Sequence, residues 1–385
     1  MMPHTQIRAA PLSTSLTPTA LPLPSLDCRA ALERVFDEMV EDMLKDGVVY
    51  AEVRSTPRAL LDLSQEQYID VLVQRVQVHN GSPWGEQLQL RVLLSINRGR
   101  SVADADALVA MAHAARQTSP SSPSPPLSSP LSFGEDGNKD TNTNTNTNVI
   151  VGIDFSGNPF LQPFETYTTA FAEAQRLEFR ATIHAGEVPA LADVEMGYIL
   201  DYLYDGGSGS GGGSGSGSGN SNGRSRIGHA VHIHERHMQR LLERFRVGGR
   251  RAVPLVEIPP SSNMFTLKLG GRLDKHPTLG TWLAEGYPVA ICVDDSGVFN
   301  TSLTRELELV RETYALSHAQ VVSLAAAPIF HVFDEDPLEA LRVKKLFYAY
   351  AERTEGRDGI EGCLKCALDS LFDSEGVLSY VTGEL

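Results

Sequence analysis

Short apolar runs alternate with helical patterns along most of this chain. "VVYAEVR" (48–54) is rich in β-branched residues and bounded by Gly47 and Pro57. "LQLRVLLSI" (88–96) follows a helical pattern near 65–78, and "VIVGIDFSG" (149–157) emerges from a polar tract. "FRATIHAG" (179–186) follows a helical pattern at 163–178. "RIGHA" (226–230), "AVPLVEI" (252–258) and "PVAICVDD" (288–295) complete the series, the last after a helical pattern around 276–285. Near-continuous apolar strands separated by helices imply parallel pairing with both faces covered. The repeated strand–helix unit predicts an α/β fold, either a closed barrel or a doubly wound sheet.

The polar residues within these runs decide between the two. Asp154, His184, His229, Glu257 and the pair Asp294–Asp295 lie at or near the C-terminal ends of runs. In a (β/α)8 barrel those ends converge on one mouth, whereas a doubly wound sheet gathers them at one switch point. No G-x-G-x-x-G follows the first run, and no phosphate-binding G-x-x-x-x-G-K-[ST] occurs anywhere. The expected fold is therefore a (β/α)8 TIM-type barrel. The count is one short, with seven strand-like runs. Pro11, Pro18, Pro22 and Pro24 break any strand in residues 1–26, so the first strand is expected to be missing.

Three segments cannot contribute to a packed core: the Pro/Ser/Thr-rich residues 1–26, the Ser/Pro and Thr/Asn tract 117–148, and the Gly/Ser tract 206–223. The expected organisation is a disordered N-terminus (1–26) and one barrel domain (27–385) with low-complexity insertions at 117–148 and 206–223. Removing the tracts leaves about 310 residues, above the roughly 250 of a typical barrel.

Composition narrows the partners. Of 385 residues, 42% are hydrophobic, which suffices for a large core. The formal charge is −15, from 48 acidic and 33 basic residues, with no prominent basic block. This disfavours binding along a nucleic-acid polymer, which needs many phosphate-neutralising cations. A small anionic ligand held by one or two Arg remains open. No apolar stretch approaches the about 18 residues of a membrane span. Residues 1–26 lack the continuous apolar core of a secretory signal. The four cysteines (28, 292, 363, 366) suit a reducing compartment. "CLKC" has no second Cys or His pair after it and reads as two cysteines on one face of a helix rather than a zinc site. A cytoplasmic monomer acting on a small molecule is expected.

A single His at a strand end is ordinarily a hydrogen-bonded structural residue. Two of them, with Glu187 and an acidic pair on separate strands, supply metal ligands and acid–base groups together. Zinc accepts imidazole and carboxylate ligands and leaves a position open for water. It lowers that water's pKa from about 15.7 to about 7. A nearby carboxylate shuttling protons adds typically about 10²–10⁴ in rate.

"GIDFSGNP", "TIHAGE", "RIGHA" and "VDDSGVFNTSL", in this order, resemble the adenosine/AMP deaminase family of metal-dependent hydrolases. The likeness runs from about Val48 to about Phe347, apart from the two tracts. "YAEVRSTPR" (50–58) and "DDSGVFNTSL" (294–303) are most similar to the adenosine deaminase-like branch, which acts on N6-methyl-AMP. The resemblance implies zinc as cofactor and a purine nucleoside or nucleotide as partner. It makes His184 and Asp294 zinc ligands, Glu187 the proton donor to purine N1, and His229 the group that orients water and stabilises the oxyanion. Asp294 also takes the water's proton. Asp295 meets purine N7, and Gly157 meets the purine edge through its backbone. Ser55, Thr56, Pro57 and Arg58 resemble the stretch lining the nucleotide end, where Arg58 either pairs a 5′-phosphate bidentately or is a solvated surface residue.

The family begins with a strand bearing H-x-H, whose two imidazoles point to one side and bind one metal. "MMPHTQI" offers only His4. The missing strand and the missing ligands are one absence, so weak metal binding and an open seam between the strands at 48 and 288 are expected. Either the chain lacks its amino terminus, which the intact remaining motifs favour, or it is a homologue that binds ligand without turnover. Asn97 stands where the branch tends to carry Asp, and Ala230 where Gly is common. His232, His234 and His237 fall on a helix expected after the strand and read as solvated or capping residues. His276 precedes Pro277 and reads as a helix start. Ser262 and Asn263 fit either a turn or a substrate contact.

Overall fold

The computed structural model describes residues 27–117, 148–189, 192–205, 225–334, 337–354 and 364–374. Apart from Gln117 and Asn148 at the edges of one tract, the segments 1–26, 117–148 and 206–223 lie outside the described residues. The elements run α1 (Arg29–Lys45), β1 (Tyr50–Ser55), α2 (Gln65–Asn80), β2 (Gln89–Asn97), α3 (Val102–Gln117) and β3 (Ile150–Ser156). They continue with α4 (Thr168–Arg176), β4 (Arg180–Ala185), α5 (Ala192–Asp205), β5 (Arg226–His229), α6 (Glu235–Gly248), β6 (Leu255–Ile258), α7 (Pro260–Thr266), α8 (Leu279–Ala284) and β7 (Val289–Ile291). Five helices follow: α9 (Ser296–Phe299), α10 (Leu303–Tyr314), α11 (His318–Ala326), α12 (Pro337–Thr354) and α13 (Leu364–Ser374).

The seven strands pair in parallel and in chain order, β1 through β7. Each falls on one of the apolar runs. Local signals set the helix starts: Ser64 and Gln67 form a reciprocal capping box at α2, and Ser317 and Gln320 do so at α11. Tyr68, Ile69, Val71, Leu72 and Val76 form the buried face of α2. Phe155 of β3 packs edge-on against Phe164 and Phe171, with Tyr202 of α5 closing the cluster.

The sheet curls on itself. β1 and β6 are five strands apart in the sheet, about 24 Å if it were flat. Yet Arg54 of β1 donates to Glu257 of β6 at 2.6 Å, and Arg226 of β5 donates to Glu52 of β1 at 2.5 Å. The architecture is that of a (β/α) barrel of TIM type with seven strands among the described residues, β1 and β7 being its two edges. Phe333 enters the interior. A Cβ at Gly152 would lie 2.4 Å from its ring, so only glycine fits there. The Arg226 guanidinium stacks over that ring at 3.7 Å.

Cys366 lies on α13 and is disulfide-bonded, while Cys363 is outside the described residues. Cys28 and Cys292 are free thiols. Among the described residues, no helix is long and apolar enough to cross a membrane.

Candidate active site

The C-terminal halves of the strands carry the predicted groups inward. β4 alternates: Ala181 and Ile183 pack in the core, while Thr182 and His184 face the interior. The His184 Nδ1 lies 2.9 Å from the Phe155 carbonyl oxygen. That oxygen can only accept, so Nδ1 carries the proton and Nε2 presents a lone pair to the interior. Asp154 Oδ1 sits 3.2 Å from the same Nδ1. Burial works against protonation of His184, but the Asp154 carboxylate outweighs it and raises the affinity for a second proton.

The His229 ring centroid lies 5.2 Å from that of His184. Three positive φ angles turn the chain at the mouth: +63° at His229, +46° at Ala230 and +54° at Asp294. Non-glycine residues adopt this left-handed region at a cost of order 1–3 kcal/mol each, and such strain clusters at functional sites. Ala230 thus occupies a conformation that suits glycine, where the sequence resemblance expects one.

Two consecutive residues in the first turn of α7 link two strand ends. Ser262 Oγ donates to Asp294 Oδ2 at 2.7 Å, and the Asn263 carboxamide lies 2.9 Å from His229 Nδ1. Both α7 residues are buried. This is more than a turn: it couples the β5 and β7 mouths. Asp295 lies on the exposed rim, and partial desolvation together with the adjacent Asp294 carboxylate raises its pKa.

Glu187 follows on the turn after β4. With His184, Arg98, Glu195 and the backbone around Gly186 it lines a cavity of about 10 Å³, the room of one water molecule. Gly157 has φ +100°, and a Cβ there would meet the Asn97 carboxamide at 2.9 Å, so these two predicted residues touch. Ser55 ends β1, Thr56, Pro57 and Arg58 follow it, and the stretch is anchored toward α2. Ser55 Oγ is 2.9 Å from the Tyr68 hydroxyl, and Gln65 Nε2 donates to the Pro57 carbonyl at 3.2 Å. Arg58 is half-buried and engaged by neighbours.

The extra histidines are structural. His234 is the N-cap of α6 and accepts from the Arg236 backbone N–H. His237 is buried within α6. His232 lies between β5 and α6, its backbone N–H bonded to the Gly186 carbonyl at 2.7 Å.

The sequence reading missed a buried charge network beneath these groups. Arg54 donates to Glu257 at 2.6 Å and to Asp154 at 3.2 Å, and its Nη1 lies 3.4 Å from His184 Nε2. Burial would raise the Glu257 pKa, but Arg54 and Arg226 outweigh it and hold it at about 2. The available signal was Glu52 and Arg54 at i and i+2 in an otherwise apolar strand, a spacing that sends both inward.

The donor chemistry suits a metal, but the donor count does not. His184 offers an Nε2 lone pair oriented by a carbonyl, as in metal-binding histidines, and Asp294 offers a carboxylate oriented by a hydroxyl. Among the described residues, no three His, Cys, Asp or Glu side chains gather as a metal site. Catalytic zinc ordinarily has three protein ligands.

No family model matches the sequence. The N6-mAMP deaminase of Arabidopsis thaliana is 26% identical over 327 residues, covering 80% of this chain and 75% of that protein. An adenosine deaminase-like protein of Drosophila melanogaster is 24% identical over 305 residues, with 79% and 72% covered. The crystal structure of Arabidopsis ADAL complexed with IMP superposes with a TM-score of 0.63 at 25% identity, over 85% of this chain and 79% of that one. Over most of its length this chain is similar to the adenosine deaminase-like proteins. The likeness covers most of this chain and includes its fold.

Proposed function

We propose that this chain catalyses zinc-dependent hydrolytic deamination of a 6-aminopurine nucleoside or nucleotide: adenosine to inosine, or N6-methyl-AMP to IMP. The observation that carries the reading is the meeting of His184 and His229 at one barrel mouth, rings 5.2 Å apart, with Glu187 on the adjoining turn. Kinship to proteins named N6-mAMP deaminase, and to one crystallised with IMP, supports the nucleotide branch.

His184 and Asp294 would hold the zinc. Bound there, the ion would make hydroxide available at neutral pH. The chain's own groups do the rest. Asp294, fixed by Ser262, accepts a proton from the attacking water. His229 donates to the oxygen that adds at C6. Glu187 protonates N1, which keeps that proton; as the C6–N bond breaks, the proton held by Asp294 passes to the departing nitrogen and the C6 hydroxyl proton restores Glu187. Ammonia or methylamine leaves, and a C6 carbonyl remains. Asp295 binds N7, and its raised pKa suits it to share a proton there. Gly157 and Asn97 edge the purine. Ser55, Thr56, Pro57 and Arg58 line the ribose-phosphate end. The proposed setting is a cytoplasmic monomer, with residues 27–385 as one barrel domain.

The second reading is a nucleotide-binding homologue without turnover, favoured by the two metal donors among the described residues. Incubation with adenosine, AMP and N6-methyl-AMP separates the two. Inosine or IMP with released amine supports the enzyme. Purine bound and recovered unchanged, with or without added zinc, supports the binder and sinks the first reading.

A further inference from the structure

We propose that His276, acting through the Asn263 carboxamide, locks His229 in the neutral tautomer whose proton sits on Nε2. His276, Asn263 and His229 lie in series as three buried side chains. His276 Nδ1 lies 3.0 Å from the Leu279 backbone nitrogen and 3.3 Å from that of Thr278. A main-chain N–H can only donate, so His276 Nδ1 carries a lone pair, and the one proton of this ring sits on Nε2. Burial supports the neutral form, pushing the His276 pKa down to about 4.

Nε2–H of His276 must therefore donate to Asn263, whose carboxamide is 3.0 Å away. The acceptor is the carboxamide oxygen. The structure places Oδ1 at His229 Nδ1 and Nδ2 at His276 Nε2, and in that orientation the amide NH₂ would donate to His276 Nε2. That ring would then accept at both nitrogens and hold no proton at all, which a neutral imidazole cannot do. The amide is thus oriented with oxygen to His276 and nitrogen to His229. So turned, its NH₂ donates to His229 Nδ1 across the 2.9 Å that Oδ1 spans before the amide is turned. His229 accepts at Nδ1, so its proton lies on Nε2.

The chain is well placed to hold this state. Asn263 is fully buried, and His229 and His276 are 4% and 6% exposed. The Thr278 hydroxyl ties the α8 start to the Ala230 carbonyl at 3.1 Å, next to His229. A second proton on His229 would set Nδ1–H against the amide NH₂. His229 is then a hydrogen-bond donor at the mouth and not the base that deprotonates water, which leaves that task to a carboxylate. This last step rests on the deaminase reading; the tautomer does not. His276 and Asn263 are positioning residues.

Histidine-specific ¹⁵N labelling of the full chain tests this by long-range ¹H–¹⁵N correlation near neutral pH, with His229 signals assigned by their loss in His229→Gln. The expected spectrum has a pyridine-type Nδ1 and a pyrrole-type Nε2 at both His229 and His276. A pyrrole-type Nδ1 at His229 overturns the proposal, whatever the activity. In Asn263→Asp the carboxylate accepts from both rings, so the proton at His229 is expected to move to Nδ1. In His276→Phe the amide is free to turn, and His229 is expected to lose its single-tautomer signature. An unchanged His229 pattern in both folded variants refutes the coupling; if neither folds, the wild-type spectrum decides. The expected spectrum without any amine release would retain the tautomer lock and discard the deaminase.

Discussion

Arg98 Nη2 donates a 2.8 Å hydrogen bond to the main-chain carbonyl of His184. The same guanidinium holds the Gln162 carbonyl at 3.1 Å, pairs with Glu195 of α5, and lies 4.2 Å over the Phe155 ring. Three chain segments that frame the β4 mouth are thus tied to one planar cation. Arg98→Met leaves the Glu195 carboxylate buried without its partner and is expected to cost about 3–5 kcal/mol of stability. Adding Glu195→Gln should recover part of that loss, because the two residues share one interaction. Urea denaturation of the single and double variants measures both; additive losses would mean the pair is not coupled.

Glu257 lies between Arg54 and Arg226, 2.6 Å and 2.9 Å away. Glu257→Gln removes one of the carboxylates that balance the half-buried Arg54 and the buried Arg226 across the curled sheet. The expected loss is about 3–5 kcal/mol, again by urea denaturation. A loss within about 0.5 kcal/mol, the range of neutral surface changes, would contradict the assigned role.

His276 makes stability depend on pH. Its folded pKa is about 4, below the ordinary 6.5, so between those values the unfolded chain binds the extra proton. The contribution is fully present above pH 6.5 and is lost as pH falls toward 4. The shift corresponds to about 3 kcal/mol. His276→Gln should flatten the stability profile across that window, and an unaltered slope between the two proteins would count against it.

Glu187→Gln keeps the shape of the turn and removes the proton shuttle. Turnover is expected to fall about 10²–10⁴-fold with the thermal midpoint unchanged. Steady-state kinetics beside a melting curve reads both, and full activity would strip Glu187 of its role.

Arg58→Ala should raise KM for AMP or N6-methyl-AMP while leaving adenosine nearly unaffected. A charge-assisted bidentate contact of this kind accounts for roughly 1.5–3 kcal/mol, about 10- to 100-fold in KM. Equal effects on nucleoside and nucleotide would place Arg58 away from the phosphate.

The apolar runs and their spacing determined the parallel strand order, because a strand covered on both faces must be apolar throughout. The same runs located His184, His229 and Asp294 at strand ends, since a barrel gathers those ends at one mouth. Motif order was legible for the same reason: it is written in consecutive residues. What sequence could not supply was pairing across the chain. Arg54 with Glu257, Arg98 with the His184 carbonyl, and His276 with Asn263 and His229 join residues brought together by curling of the sheet and by the packing of α7 and α8. A side chain's charge partner and the tautomer of an imidazole depend on which atoms lie within about 3 Å, and that distance is set by tertiary structure.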